Sequence, residues 1–279
     1  MRLIGYLENG VRHIGALDGD KVAPLGTAAA FYSDTAAALA AEPAGPSLNL
    51  ADLEQAPAVP ETARVFILGI NYLSHAEESK RLGDLDLPKH PFVIGRFGST
   101  LVADGTEIPV PLNEGLDWEC ELAAVIGEKI WAATEDNAQQ HVLGYTGFND
   151  VTARAKQLET PSMTLGKNPD KSAPIGPVIV TADELPDPTG LRVQTRVNGV
   201  TKQDGNTRDL LFSVGQIIEY ITDTITLLPG DVIATGTPTG VGAGRKPPES
   251  LHPGDVVEVE VEKIGILRNT IVDRSKSHE

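Results

Sequence analysis

Apolar and polar residues alternate with a period of two along much of the chain, in short runs bounded by glycine, proline, asparagine and aspartate. That is the pattern of β-strands separated by turns. Residues 3–7 and 13–17 form two such runs, one followed by Asn9-Gly10 and the other by Asp18-Gly19, dipeptides suited to tight hairpins. Residues 26–41 are alanine-rich and predict helix, after which Pro43, Gly45, Pro46, Pro57 and Pro60 punctuate the chain. A boundary near residue 60 therefore divides a small N-terminal α/β domain, residues 1–60, from a larger unit, residues 61–279. In the larger unit strands are expected over 65–68, 92–94, 119–126, 178–180, 193–197, 232–235 and 256–261, and helices over 76–82 and 210–222. The expected fold class is α+β, mainly β.

One strand stands apart. In Asp117-Trp-Glu-Cys-Glu-Leu-Ala-Ala-Val-Ile-Gly127, alternation sends Glu119 and Glu121 to one face with Ala123 and Val125, and Trp118, Cys120, Leu122, Ala124 and Ile126 to the other. Both faces are apolar beyond the glutamates, as in a strand buried on both sides. Two adjacent carboxylates in such a place repel each other and lose hydration. A shared proton, basic partners or a metal must compensate, unless the strand is an exposed edge with solvated glutamates. No Lys or Arg lies within the strand, and an all-oxygen ligand set suits a hard cation.

Composition narrows the classes of partner. Hydrophobic residues make up 41% of the 279 positions, enough for a packed core. The net charge of −16 repels phosphate backbones and anionic lipid surfaces, so neither nucleic acid nor membrane is expected as a partner. A small anionic substrate is compatible, because a metal and a few cations can invert the field within one pocket. Cys120 is the single cysteine, which rules out an intrachain disulfide and suits a reducing compartment. With no uninterrupted apolar stretch before Glu8 and Asn9, the N-terminus does not read as a signal peptide, and a cytoplasmic location is expected.

Two further segments follow the glutamates: Gly147-Phe-Asn-Asp-Val-Thr-Ala-Arg154 and Gly166-Lys-Asn-Pro-Asp-Lys-Ser-Ala-Pro-Ile-Gly-Pro177. Together they resemble the fumarylacetoacetate hydrolase family, in which Asp-x-Glu-x-Glu, Asn-Asp-x-(Ser/Thr)-x-Arg and Lys-x-x-Asp-x-x-x-Pro-x-Gly-Pro recur in that order. The resemblance continues through Asn198-Gly199, Gln203-Asp-Gly-Asn-Thr207 and the segment from Leu228 to Gly242, and so spans residues 65–270. It implies a mixed β-roll catalytic domain and a divalent metal, Mg²⁺ or Mn²⁺ with Ca²⁺ also compatible, on Glu119, Glu121 and Asp150. It also implies a homodimer.

Upstream, Asn71-Tyr-Leu-Ser-His-Ala-Glu-Glu78 matches the family pattern Asn-Tyr-x-x-His-x-x-Glu. Ser74 reads as a helix cap with Glu77 closing a capping box, while His75 and Glu78 share a helix face. Alone, such a pair is commonly an idle surface ion pair. The resemblance makes His75 a general base oriented by Glu78 on a short lid helix. It makes Lys167 the cation for an enolate or oxyanion, and Arg154, Gln157 and Thr237 substrate contacts, with Arg96 where many relatives carry lysine. Two departures stand near the site: Asn168 to Ser172 lacks the aromatic residues of many relatives, and Ala155 replaces an aspartate. Gly236-Thr-Pro-Thr-Gly-Val-Gly242 lacks nucleotide-loop spacing and reads as a turn near the site. Glu258, Glu260 and Glu262 read as the solvated face of a strand.

The activity expected from these residues is metal-dependent hydrolysis of a carbon–carbon bond in a β-diketo acid, in the acylpyruvase or fumarylpyruvate hydrolase branch serving aromatic catabolism. Decarboxylation of an oxaloacetate-like acid and isomerisation of a muconate-like diacid are the alternatives, and a non-catalytic metal-binding relative is the reading outside enzymology.

Overall fold

The two-faced strand is observed as Cys120–Ile126, buried along its whole length. The computed structural model describes residues 1–73, 88–111 and 115–276. Cys120, Leu122, Ala124 and Ile126 enter one hydrophobic core, and Ala123 and Val125 enter another. The strand pairs antiparallel with Val142–Asn149 on one side and Val232–Ala234 on the other. It is therefore interior to the sheet, and its glutamates are not those of a solvated edge.

The sheet runs Leu48–Asn49, Lys21–Thr27, Val11–Asp18, Arg2–Glu8, Ala173–Thr181, Val142–Asn149, Cys120–Ile126, Val232–Ala234, Val65–Gly69, Phe92–Arg96. A second sheet runs Val200–Asn206, Arg192–Val197, Val256–Val261, Gly265–Asp273, Glu107–Val110. The first core lies between the sheets, with Val193, Val259, Val261 and Leu267 opposing Cys120 and Leu122, and the helix Val214–Thr222 adding Ile217, Ile218 and Ile221. The second lies on the other face of the large sheet, under Phe31 and Tyr32. Mainly strand with short helices, the architecture matches the expected class.

Local chemistry explains the elements. Asn9 and Gly10 turn the first hairpin at φ 51° and 76°. The alanine-rich stretch forms two helices, Ala28–Ser33 and Thr35–Ala40, because Thr27 and Asp34 each cap a separate start. The helix expected over 210–222 begins later, at Val214, where Ser213 and Gln216 close a capping box. The glutamates of Val256–Val261 are not simply solvated: Arg196 donates to Glu258 at 2.9 Å and to Glu260 at 2.7 Å, and Arg268 also pairs with Glu258. The N-terminal hairpin joins the large sheet directly, with Leu3 opposite Ile179. The Ser74–Glu77 box, the His75–Glu78 pair and the helix expected over 76–82 lie outside the described residues. No helix among the described residues is long and apolar enough to cross a membrane.

Candidate active site

Glu119 and Glu121 stand at the head of the central strand, and Asp150 follows the last residue of its neighbour, Val142–Asn149. The Asp150 amide donates to the Glu119 carbonyl at 2.9 Å, and the Glu119 amide donates to Asn149 Oδ1 at 3.1 Å. These bonds hold the two segments in register and bring the carboxylates together. All three are buried, with one oxygen of each within 4.8 Å of the others.

Of the three, Glu121 is held by a single donor among the described residues. One oxygen accepts the Gly236 amide at 2.8 Å, and the other has no hydrogen-bond partner. Burial, reinforced by the charges of Asp150 and Glu119, raises its pKa well above the ordinary glutamate value, and the Gly236 amide and Lys167 offset only part of this. An orphaned carboxylate oxygen beside two further carboxylates is a donor set that a hard dication completes. The residues present fit the expected metal.

Three cations surround the acids. Lys167 Nζ donates to Glu119 at 3.0 Å, to Asp150 at 2.5 Å and to Thr152 Oγ1 at 2.9 Å. The Thr152 hydroxyl in turn donates to the Asp150 carbonyl at 2.8 Å. Arg154 donates to Glu119 at 2.7 Å, to Asp117 and to Gln157 Oε1. Burial disfavours its charge, but Asp117 and Glu119 outweigh that and hold its pKa above the ordinary value. Arg96 pairs with the remaining oxygen of Asp150 and donates to the Ser172 carbonyl at 2.7 Å.

A cavity of about 140 Å³ opens above these groups, lined by Glu119, Asp150, Lys167, Arg154, Gln157 and Thr237, with aliphatic walls from Ile67, Ile94 and Val241. The sequence-expected ligands and Lys167 are thus brought to one point, with Arg154, Gln157 and Thr237 around it. Arg96 departs from the expectation of a substrate contact. It shares a strand face with Phe92 and Ile94, which line the cavity, but two residues further along it passes behind Asp150 and is buried there. His75 and Glu78 lie outside the described residues.

The two departures also find places. Ser172 Oγ accepts from Arg96, and Asn168 Oδ1 accepts the Phe97 amide at 2.7 Å, so both build the scaffold behind the site. Ala155 is exposed and off the cavity. Gly236-Thr-Pro-Thr-Gly-Val-Gly242 is a turn at the site: it supplies the Gly236 amide and Thr237. Sequence reasoning missed Thr152 and Asp117, although both lie inside the motifs it used.

Residues 64–272 match the fumarylacetoacetate (FAA) hydrolase C-terminal family. The chain belongs to the fumarylacetoacetate hydrolase family. Over 212 residues it is 39% identical to the human mitochondrial oxaloacetate tautomerase FAHD2A, a match covering 75% of this chain and 66% of that protein. Over 218 residues it is 38% identical to the oxaloacetate tautomerase YisK of Bacillus subtilis, covering 77% of this chain and 72% of that one. The solved structure of a 5-carboxymethyl-2-hydroxymuconate delta-isomerase from Mycobacterium smegmatis aligns with a TM-score of 0.81 at 30% identity, covering 98% of this chain and 100% of the other. The mainly β fold is therefore that of fumarylacetoacetate hydrolase family structures over nearly its whole length. These relatives are tautomerases and an isomerase, so the family stands while the acylpyruvase branch is not singled out.

Proposed function

We propose that this fumarylacetoacetate hydrolase family member is a divalent-metal enzyme that interconverts the keto and enol forms of a small 2-oxo acid of the oxaloacetate type. The observation that carries this is the position of Lys167, whose ammonium lies on Glu119 and Asp150 in a cavity with no cysteine, serine or histidine among its described lining residues. That ammonium places positive charge where an enolate oxygen would develop. The names of the human and Bacillus relatives support the same reading.

Glu119, Glu121 and Asp150 would hold the dication, which would supply Lewis acidity when bound. Arg154 binds the substrate carboxylate, with Gln157 and Thr237 fixing its orientation. Lys167 holds the negative charge on the enolate oxygen. The aliphatic walls keep bulk water from the reacting carbon. His75, oriented by Glu78, is the proposed proton carrier between that carbon and solvent.

Carbon–carbon hydrolysis of an acylpyruvate and decarboxylation of oxaloacetate pass through the same enolate, so one panel separates them. The enol absorbance of freshly dissolved oxaloacetate is followed with Mn²⁺ or Mg²⁺, alongside acylpyruvate absorbance and CO₂ release, with Glu119→Ala as control. Metal-dependent enol decay above the buffer rate, absent in the variant, is the expected result. Diketone loss without enol decay would replace the tautomerase with the hydrolase, and CO₂ release with a decarboxylase.

A further inference from the structure

Asp117 belongs to the site without belonging to the metal trio. It ends the strand Leu116–Asp117, two residues before Glu119, and its side chain is 2% exposed. Oδ1 accepts the Trp118 amide at 2.8 Å and the Gly242 amide at 2.6 Å. Oδ2 accepts the Ala243 amide at 3.0 Å, Arg154 Nε at 3.1 Å and Arg154 Nη2 at 2.8 Å. One carboxylate thus joins the segment carrying the metal ligands, the turn that forms a cavity wall, and the guanidinium that lines the cavity. The turn approaches so closely that a Cβ at Gly242 would lie 2.8 Å from Asp117 Oδ1 and 2.2 Å from the Glu249 carbonyl oxygen.

The geometry also divides the guanidinium. Arg154 Nε and one Nη2 hydrogen go to Asp117, the other Nη2 hydrogen goes to Glu119, and one Nη1 hydrogen goes to Gln157. A guanidinium has five N–H bonds, so among the described residues one Nη1 hydrogen is left on the group that lines the cavity.

We propose that Asp117 is a positioning residue for substrate carboxylate recognition: it holds the Arg154 plane so that the remaining Nη1 edge faces the ligand, and it pins the turn at 242–243 to the same point. This rests on the reading that the cavity binds a 2-oxo acid. Two donors, Nε and Nη2, converging on one carboxylate oxygen restrain the guanidinium more than a single contact, which leaves it free to rotate. Without Asp117, Arg154 would be left to Glu119 and Gln157, and the Ala243 amide would lose its acceptor. Asparagine keeps the shape but can place an amide donor against Arg154 and Ala243.

The test uses the full chain loaded with Mn²⁺ and oxalate, a small dianion shaped like a 2-oxo acid enolate, as calorimetric probe. Asp117→Asn should weaken oxalate binding about tenfold or more, the loss expected for hydrogen bonds to a charged group. It should raise KM with kcat little changed, and leave Mn²⁺ affinity as in the wild type. In the double variant with Arg154→Lys the losses should not add, because both changes remove one interaction. Unaltered oxalate binding by Asp117→Asn, or fully additive losses, would overturn the proposal. Should Asp117→Asn not fold, Arg154→Lys alone decides: a rise in KM supports the proposal and a loss confined to kcat overturns it. Wild-type protein that binds Mn²⁺ but no oxalate would overturn the functional reading, and this proposal with it.

Discussion

Glu121 shows what burial does to a single acid when its charge has no partner of its own. In the metal-free fold its neutral form is favoured, first by desolvation and then by Asp150 and Glu119. A glutamate with a raised folded pKa contributes stability that is complete below its unfolded value and is lost as pH rises through the folded value. The metal-free protein should therefore melt at lower temperature as pH is raised from mildly acidic through that folded value. Mn²⁺ should restore stability, and by more at higher pH, because the ligand must be ionised to bind. Calorimetry at stepped pH, with chelator or with Mn²⁺, measures both slopes. Glu121→Gln should flatten the first, abolish the second and weaken Mn²⁺ binding by at least about 100-fold. A wild-type chelated protein whose melting matched the variant at every pH would contradict the assignment. At this scale the metal trio was legible, since a period of two and the Asn149-Asp150 motif place it. Asp117 was not, because the amides that need it arrive from residues 242 and 243, and only the fold brings them near. Arg96 was expected at the site from its place in the family pattern, which gives the order of residues but not the depth at which this one lies, behind Asp150 and off the cavity.

The helices that carry Arg154 and Lys167 have six and four residues, Arg154–Glu159 and Thr164–Lys167. Segments so short do not hold helical structure alone, and no periodicity in them could have announced it. Tertiary packing sets them: a Cβ at Gly166 would lie 2.3 Å from Gln157 Cα and 2.3 Å from its amide nitrogen. Gly166→Ala should therefore push the two helices apart, at a cost of about 3 kcal/mol. Because Gln157 and Lys167 move with them, activity should fall along with the urea midpoint. Ser213→Ala is the contrasting case. It removes the cap of Val214–Thr222, which does not line the cavity, and should cost about 1 kcal/mol with turnover unchanged. Equal effects of the two changes on activity would show that Gly166 does not position the site. Some strands, by contrast, were legible, such as Val65–Gly69 and Val256–Val261, since alternation is a property of the local chain, whereas Val200–Asn206 and Gly265–Asp273 were not expected and Ala173–Thr181 was expected only over 178–180.

Across the molecule, the small N-terminal domain proposed for residues 1–60 shares a sheet with the larger one. Arg2–Glu8 pairs with Ala173–Thr181, and Phe31 and Tyr32 share a core with Val65 and Val125. Sequence could mark the proline-rich break but not the pairing across it, which joins residues more than a hundred positions apart. Thermal unfolding should consequently be one cooperative transition, with calorimetric and van't Hoff enthalpies equal. Two resolved transitions would make the N-terminal unit an independent body. The central strand Cys120–Ile126 has a consequence of the same reach. With one face in each core, it gives the metal ligands a foundation that neither half can shift alone. The surfaces a substrate would meet come from the two short helices, a glycine-punctuated turn and the strands that carry Ile67 and Ile94. An architecture built this way can keep the metal trio fixed while residues at the cavity rim change.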